Sequence, residues 1–264
     1  MLFLLKIAIT PLLVAAVSLA ARWWGPTVGG ILIGIPWFTG PTLFILVQDK
    51  DIAFGVAACV GIQLGVICVA AYVLAYGFVS TRAGWAWSMM GGAIAFAACA
   101  GALQDPALLP ALTGGRLDPL WIAAGLALVS LAATYALLPV PHAPAVVQPL
   151  PWWDIPMRMG ATAVLVTAIM LTADVLGPQL SGIVSTYPVI LTVVGTFTHH
   201  RWGREAVWRV LRGLTRSLVT FVAFFLVVGM TLPAAGLVGS YALASVVGIV
   251  FATVLFFFSG GRGG

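Results

Sequence analysis

Residues 25–36 read Gly25-Pro26-Thr27-Val28-Gly29-Gly30-Ile31-Leu32-Ile33-Gly34-Ile35-Pro36, and residues 177–188 read Gly177-Pro178-Gln179-Leu180-Ser181-Gly182-Ile183-Val184-Ser185-Thr186-Tyr187-Pro188. Glycine, proline, glycine, isoleucine and proline coincide without a gap at a constant shift of 152. At the same shift Lys6 meets Arg158, Leu74 meets Leu226 and Gly77 meets Gly229. Both stretches lie inside apolar runs, and both runs are interrupted by proline. The chain therefore reads as one unit written twice, with a broken hydrophobic segment at the same place in each copy.

What surrounds the two stretches decides the solvent. The hydrophobic fraction is 62% and the charged fraction 7%, against about 25% charged residues in a soluble domain. So few charges cannot cover a water-facing surface, so lipid is the solvent for most of the exterior. In lipid every backbone N–H and C=O must be paired internally, which leaves helices or a closed barrel. The apolar runs are about 18 to 28 residues long and do not alternate with period two, which is helix length for a ~30 Å hydrocarbon core. The expected fold is an all-α polytopic transmembrane bundle of nine spans.

The spans fall at Leu2–Ala21, Val28–Val47, Ile52–Val79, Trp85–Leu103, Leu120–Val140, Ile155–Leu176, Leu180–Phe197, Ala206–Leu232 and Ala235–Phe258. A proline-rich linker, Pro141 to Pro151, precedes the sixth. Ser18-Leu19-Ala20-Ala21 resembles a signal-peptide cleavage site, but the first span has a counterpart in the sixth and is expected to be retained. Spans one to four map onto six to nine, giving residues 1–104 and 155–264 as two four-span copies and 105–154 as a linker containing span five. An offset of five spans turns the second copy upside down.

Charge agrees with that inversion. Lys6, Lys50 and Arg116 fall on one side; Arg22, Arg82, Arg158, Arg201, Arg204, Arg209, Arg212, Arg216 and Arg262 fall on the other. The positive-inside rule then places the N-terminus outside and the C-terminus in the cytoplasm. The outer loop Asp49-Lys50-Asp51 corresponds to the inner loop Arg201-Trp202-Gly203, and Arg22 to Asp174. The expected location is a bacterial cytoplasmic membrane. The net charge of +5 reports topology and anionic lipid contact, not nucleic acid. Cys59, Cys68 and Cys99 lie in apolar runs and read as small core residues.

The second copy resembles the GlpM-like family of small four-span bacterial inner-membrane proteins. The resembling residues are Leu180-Ser181-Gly182-Ile183-Val184-Ser185-Thr186-Tyr187-Pro188, the polar turn His199-His200-Arg201-Trp202, and Ala206 to Arg216. The resemblance covers roughly 90 residues, and the first copy matches more loosely. It implies a four-span unit and no particular substrate.

Inverted repeats related by an in-plane two-fold build many secondary transporters, whose sites lie near the midplane at paired broken helices. Here the breaks are at Pro36 and Pro188. A mid-helix proline leaves the carbonyl four residues earlier without its donor, which would free Leu32 and Val184, and Trp37 through Pro41. The candidate substrate-binding residues are Pro36, Trp37, Thr39, Gln63, Ser185, Thr186, Tyr187, Pro188 and Arg216. Thr39, Ser185, Thr186 and Tyr187 supply hydroxyls beside the breaks, Trp37 an indole N–H, and Gln63 a deep amide. An ordinary kink and an interhelical hydrogen bond are the competing readings for the prolines and for Gln63. The glycines equally suit close helix packing.

Arg209, Arg212 and Arg216 share one helical face at i, i+3 and i+7, with Glu205 placed to pair with Arg209. They read as a cytoplasmic extension touching headgroups, or as a vestibule for an anion, which a guanidinium binds bidentately. His199 and His200 read as a solvated loop pair, Asp174 as interfacial or as a proton or cation site, and Trp23, Trp24, Trp37, Trp85, Trp87, Trp121, Trp152 and Trp153 as an aromatic belt.

With no His/Asp/Glu cluster, nucleophile motif or phosphate loop, an enzyme is not expected, and neither is a cofactor or a metal. The leading expectation is a transporter of a hydrophobic, amphipathic or anionic small molecule, or of a lipid-linked one. Its partners would be membrane lipids and that cargo, with self-association as a dimer a further expectation. The alternative is an accessory subunit of an envelope lipid or polysaccharide machine.

Overall fold

The computed structural model describes residues 2–36, 39–105, 118–143, 151–173 and 186–259, with side chains outside 2–9, 42, 45, 46, 49, 168–173 and 252–259. Every regular element among the described residues is helical: α1 Leu2–Trp24, α2 Pro26–Ile33, α3 Thr39–Asp49, α4 Ile52–Val79, α5 Trp85–Ala102, α6 Pro119–Leu137, α7 Asp154–Ala173 and α8 Val189–Ser259. Four of them, α4, α5, α6 and the Val189–Phe251 part of α8, are long and apolar enough to cross a membrane. Large apolar side chains also face outward, among them Val238 at 73% exposure, Val164 at 72% and Ile249 at 67%. Water would penalise such a surface, whereas lipid tails would not.

The 71 residues of α8 are three helical limbs. Gly203 has φ 79° and Gly236 φ 66°, a region that glycine enters freely and side chains resist. In a straight helix Gly195 and Val207 would stand about 18 Å apart, and Phe224 and Gly248 about 36 Å. Instead, a Cβ built on Gly195 would lie 3.8 Å from Val207, and one on Gly248 would lie 3.8 Å from Phe224. The chain therefore doubles back at each glycine. The limbs are α8a (189–202), α8b (204–235) and α8c (237–259).

Facing residues give the directions. Along α4 and α8b, Gly55 faces Leu232, Cys59 faces Gly229, Gly77 faces Leu211 and Ser80 faces Trp208. One number rises as the other falls, so these two helices run antiparallel. Thr186 lies on Gly65, Thr192 meets Tyr72 and His199 meets Tyr76, so α8a runs parallel to α4. Leu120 sits near Cys59, Thr134 near Ala70 and Leu138 near Gly77, so α6 runs parallel to α4 as well.

Two poles result. One gathers Ala21, Trp202 and Ala206, Ser80 bonded to Trp208, Thr81 bonded to Arg204, and Asp154 beside Arg201. The other gathers Val47, Cys59, Leu120, Val228 and Leu232 in an apolar cluster. The basic residues 201–216 thus collect toward one end, while Lys50 and Asp51 sit at the opposite end.

The tightest crossing is α2 on α8b. A Cβ on Gly30 would overlap the Val210 carbonyl, one on Gly34 would overlap the Ser217 side chain, and one on Gly213 would overlap the Thr27 carbonyl. Gly30-x-x-x-Gly34 therefore meets Gly213-x-x-x-Ser217 backbone to backbone. Small residues at four-residue spacing permit this approach, and dispersion between the close backbones holds it. The close-packing reading of Gly30 from the sequence is what the structure displays.

Candidate functional site

The chain breaks between α2 and α3 and again just before α8a, at the positions of Pro36 and Pro188. Pro36 falls between two helices, and Pro188 stands immediately before α8a begins. The freed-carbonyl expectation is corrected for Leu32. The Leu32 carbonyl accepts from the Ile35 N–H at 3.4 Å, because α2 tightens its last turn. Pro41 lies in the first turn of α3, where no helical N–H bond is owed to it. Val184, Trp37 and Ser185 lie outside the described residues.

Both breaks adjoin the same stretch of bundle. Gly34, at the end of α2, seats on Ser217, and Thr186 seats on Gly65. On the same two helices, α4 and α8b, Gln63, fully buried, donates from Nε2 to the Val222 carbonyl at 2.9 Å. Its Oε1 is buried without a hydrogen-bond partner among the described residues. Ile33 and Tyr187 pack against one shared apolar cluster. Thr39 opens α3, and the carbonyl of neighbouring Gly40 accepts from the Tyr241 hydroxyl at 2.8 Å. Pro36, Thr186, Tyr187 and Pro188 are half-buried.

Arg216 stands apart from this group. It is exposed, its guanidinium bonds the Tyr135 hydroxyl, and its Cζ lies 5.0 Å from that ring. Arg212 covers the same ring at 4.1 Å and donates to the Tyr135 and Leu138 carbonyls at 3.3 and 3.1 Å. The last carbonyls of α6 lack helical donors, and a cation there also opposes the negative end of the helix dipole. Glu205 does not pair with Arg209. It accepts from the His142 and Ala143 N–H groups at 2.9 and 3.4 Å, while Arg209 donates to the Ala143 carbonyl. The arginine face therefore fastens the chain after α6 onto α8b.

Two features were not singled out in the sequence. The first is a buried hydroxyl seam between α4 and α8a. Thr192 Oγ1 bonds the Tyr72 hydroxyl at 3.1 Å and the Tyr187 hydroxyl at 3.3 Å, and the Tyr76 hydroxyl lies 3.2 Å from His199 Nδ1. The Tyr187 ring meets Tyr72 and Phe96 edge-on, with centroids 6.0 and 5.1 Å away. His199 is thus half-buried on a helix, which corrects its reading as a solvated loop residue. The spacing of Tyr72 and Tyr76, and of Thr192, Thr196 and His199, was a legible helical face.

The second feature is an ion cluster at the basic pole. Arg158, 1% exposed, donates from Nε to Asp154 Oδ2 at 2.7 Å, and Asp154 is fully buried. Arg201 Nε lies 3.8 Å from Asp154 Oδ1 and its guanidinium stacks on Trp153 at 4.7 Å. Searches of protein-family profiles, curated proteins and solved structures find no match to this chain.

Proposed function

We propose that this protein is a multi-pass membrane transporter made of two inverted four-span copies joined by a fifth span, with its cargo site at the paired breaks around Pro36 and Pro188. One observation carries the reading. Adding 152 to Gly34 gives Thr186, and adding 152 to Gly65 gives Ser217. The contact of Gly34 on Ser217 and the contact of Thr186 on Gly65 are therefore the same contact with the copies exchanged. A two-fold axis between related units produces such exchange.

Helix limits support it. Moved by 152, α1 falls on 154–176 beside α7 at Asp154–Ala173, and α3 falls on 191–201 within α8a. Likewise α4 falls on 204–231 within α8b, and α5 on 237–254 within α8c. The related pair α4 and α8b run antiparallel, as copies inverted across a membrane require. The membrane would be the bacterial inner membrane, and the likeness of the second copy to the GlpM-like unit belongs to the same reading.

The polar lining suggests the cargo. Tyr72, Tyr76, Thr192 and His199 form the hydroxyl seam; their counterparts are Phe224, Val228, Gly40 and Val47, of which Phe224, Val228 and Val47 belong to the apolar cluster of the other pole. The second seam keeps a single hydroxyl, that of Tyr241 on the Gly40 carbonyl, whereas the first gathers the hydroxyls of Tyr72, Tyr76, Tyr187 and Thr192. Polar side chains toward one pole and apolar ones toward the other suit an amphipathic cargo, anionic or lipid-linked.

Native mass spectrometry of the protein released from mild detergent tests this. Wild type is expected to retain a small molecule that Gln63→Leu combined with Tyr187→Phe loses, and that molecule is expected to cross proteoliposomes only when wild-type protein is present. Retention of a second polypeptide, with no small-molecule mass and no flux, would replace the transporter with an accessory subunit.

A further inference from the structure

The ion cluster at the start of α7 carries more positive charge than it can neutralise. Asp154 supplies one negative charge, and Arg158 and Arg201 supply two positive charges. Arg158 Nη2, Arg201 Nε and Asp154 Oδ1 are buried without a hydrogen-bond partner among the described residues, the last two facing each other at 3.8 Å. The adjoining stretch 144–150 contains no acid, and Glu205 is taken by backbone N–H groups. Arg158 is held by Asp154 and lies over the Phe197 ring at 4.9 Å, while Arg201 is 29% exposed, so an anion that joins the cluster from outside meets Arg201.

The surroundings are those of a bilayer interface. Trp152 is 87% exposed, and Trp23 and Trp24 are exposed at the end of α1, whose Ala21 packs with Trp202. Exposed tryptophans mark headgroup depth. From the cluster, the outer face of α7 descends through Met157, Gly160, Ala161 and Val164, all exposed, and a Cβ at Gly160 would meet nothing within 4 Å. This apolar lane begins within one turn of Asp154 along α7, on the helix's outward face.

We propose that Arg201, backed by Asp154 and Arg158, binds the phosphate of an anionic phospholipid whose acyl chain lies along the Met157–Gly160–Ala161–Val164 face of α7. The guanidinium offers parallel N–H donors to phosphate oxygens, Trp153 holds its plane, and the N-terminal end of α7 adds favourable potential. The site is independent of the transport reading, since it lies on the outside of the bundle.

The test is thermal unfolding of the full chain in neutral detergent with phosphatidylglycerol, phosphatidylcholine or inorganic phosphate added. Phosphatidylglycerol is expected to raise the midpoint by about 5 °C through preferential binding to the folded state, with little effect from the other two. Arg201→Gln should lose the shift and Arg201→Lys should keep part of it. Gly160→Trp, which blocks the lane, should weaken the shift without lowering the midpoint of the lipid-free protein. Equal shifts from both lipids, an equal shift from inorganic phosphate, or a full shift in Arg201→Gln would overturn the proposal. So would a Gly160→Trp protein that changes oligomeric state and keeps its lipid response, because the lane would then be a contact between copies.

Discussion

Gly30→Leu is expected to yield no folded protein, and Gly30→Ala to lower the unfolding midpoint by about 5 to 12 °C. The added Cβ would overlap the Val210 carbonyl. Backbone cannot rotate away as a side chain can, so α2 must separate from α8b along its length. Gly213 faces the same constraint from the Thr27 carbonyl, and Gly213→Ala should behave alike. Gly61→Ala is the control. Nothing lies within 4 Å of a Cβ there, so its midpoint should stay level or rise slightly as helix propensity improves. The measurement is thermal unfolding of detergent-purified protein with the monodisperse yield. A Gly30→Leu protein as stable as wild type would show that the close crossing is not part of the fold.

Asp154→Leu is expected to destabilise by about 3–5 kcal/mol, since it leaves Arg158 buried and unpaired. Arg158→Met alone should cost less, because Arg201 stands 3.8 Å from Asp154 and, at 29% exposure, can close on it. The double variant Asp154→Leu/Arg158→Met should recover most of the loss, as replacing a whole buried pair by apolar residues usually does. A double-mutant cycle in chemical denaturation separates these terms. Additive single effects would mean that the two side chains do not act as a pair.

Much of this architecture was open to reading. Apolar length gave α4 its limits at Ile52 and Val79, and the shared Gly-Pro pattern drew attention to Pro36 and Pro188. The reversals at Gly203 and Gly236 were not read from the sequence, which placed Gly203 in a loop and Gly236 inside the ninth span; the structure shows both at positive φ. The sequence could not show which surfaces meet. Tyr72 and Tyr76 repeat at helical spacing, yet their partners Thr192 and His199 lie more than a hundred residues away. Arg158 and Asp154 are neighbours on one helix, while Arg201 reaches them across a fold. Arg216 shares its turn with Ser217, which touches the Gly34 break, but the helix points it the other way, toward Tyr135. One residue of register separates a site from its outer wall.

The central proposal is that the two copies lie inverted in the membrane. Lys50 and Arg204 are both exposed and lie at the equivalent turns of the two copies. Single cysteines placed there, in a chain with Cys59, Cys68 and Cys99 changed to serine, can be treated with a membrane-impermeant maleimide on intact cells and after permeabilisation. Inversion predicts that Lys50→Cys is labelled from outside and Arg204→Cys only after permeabilisation. Labelling of both from the same side would contradict it.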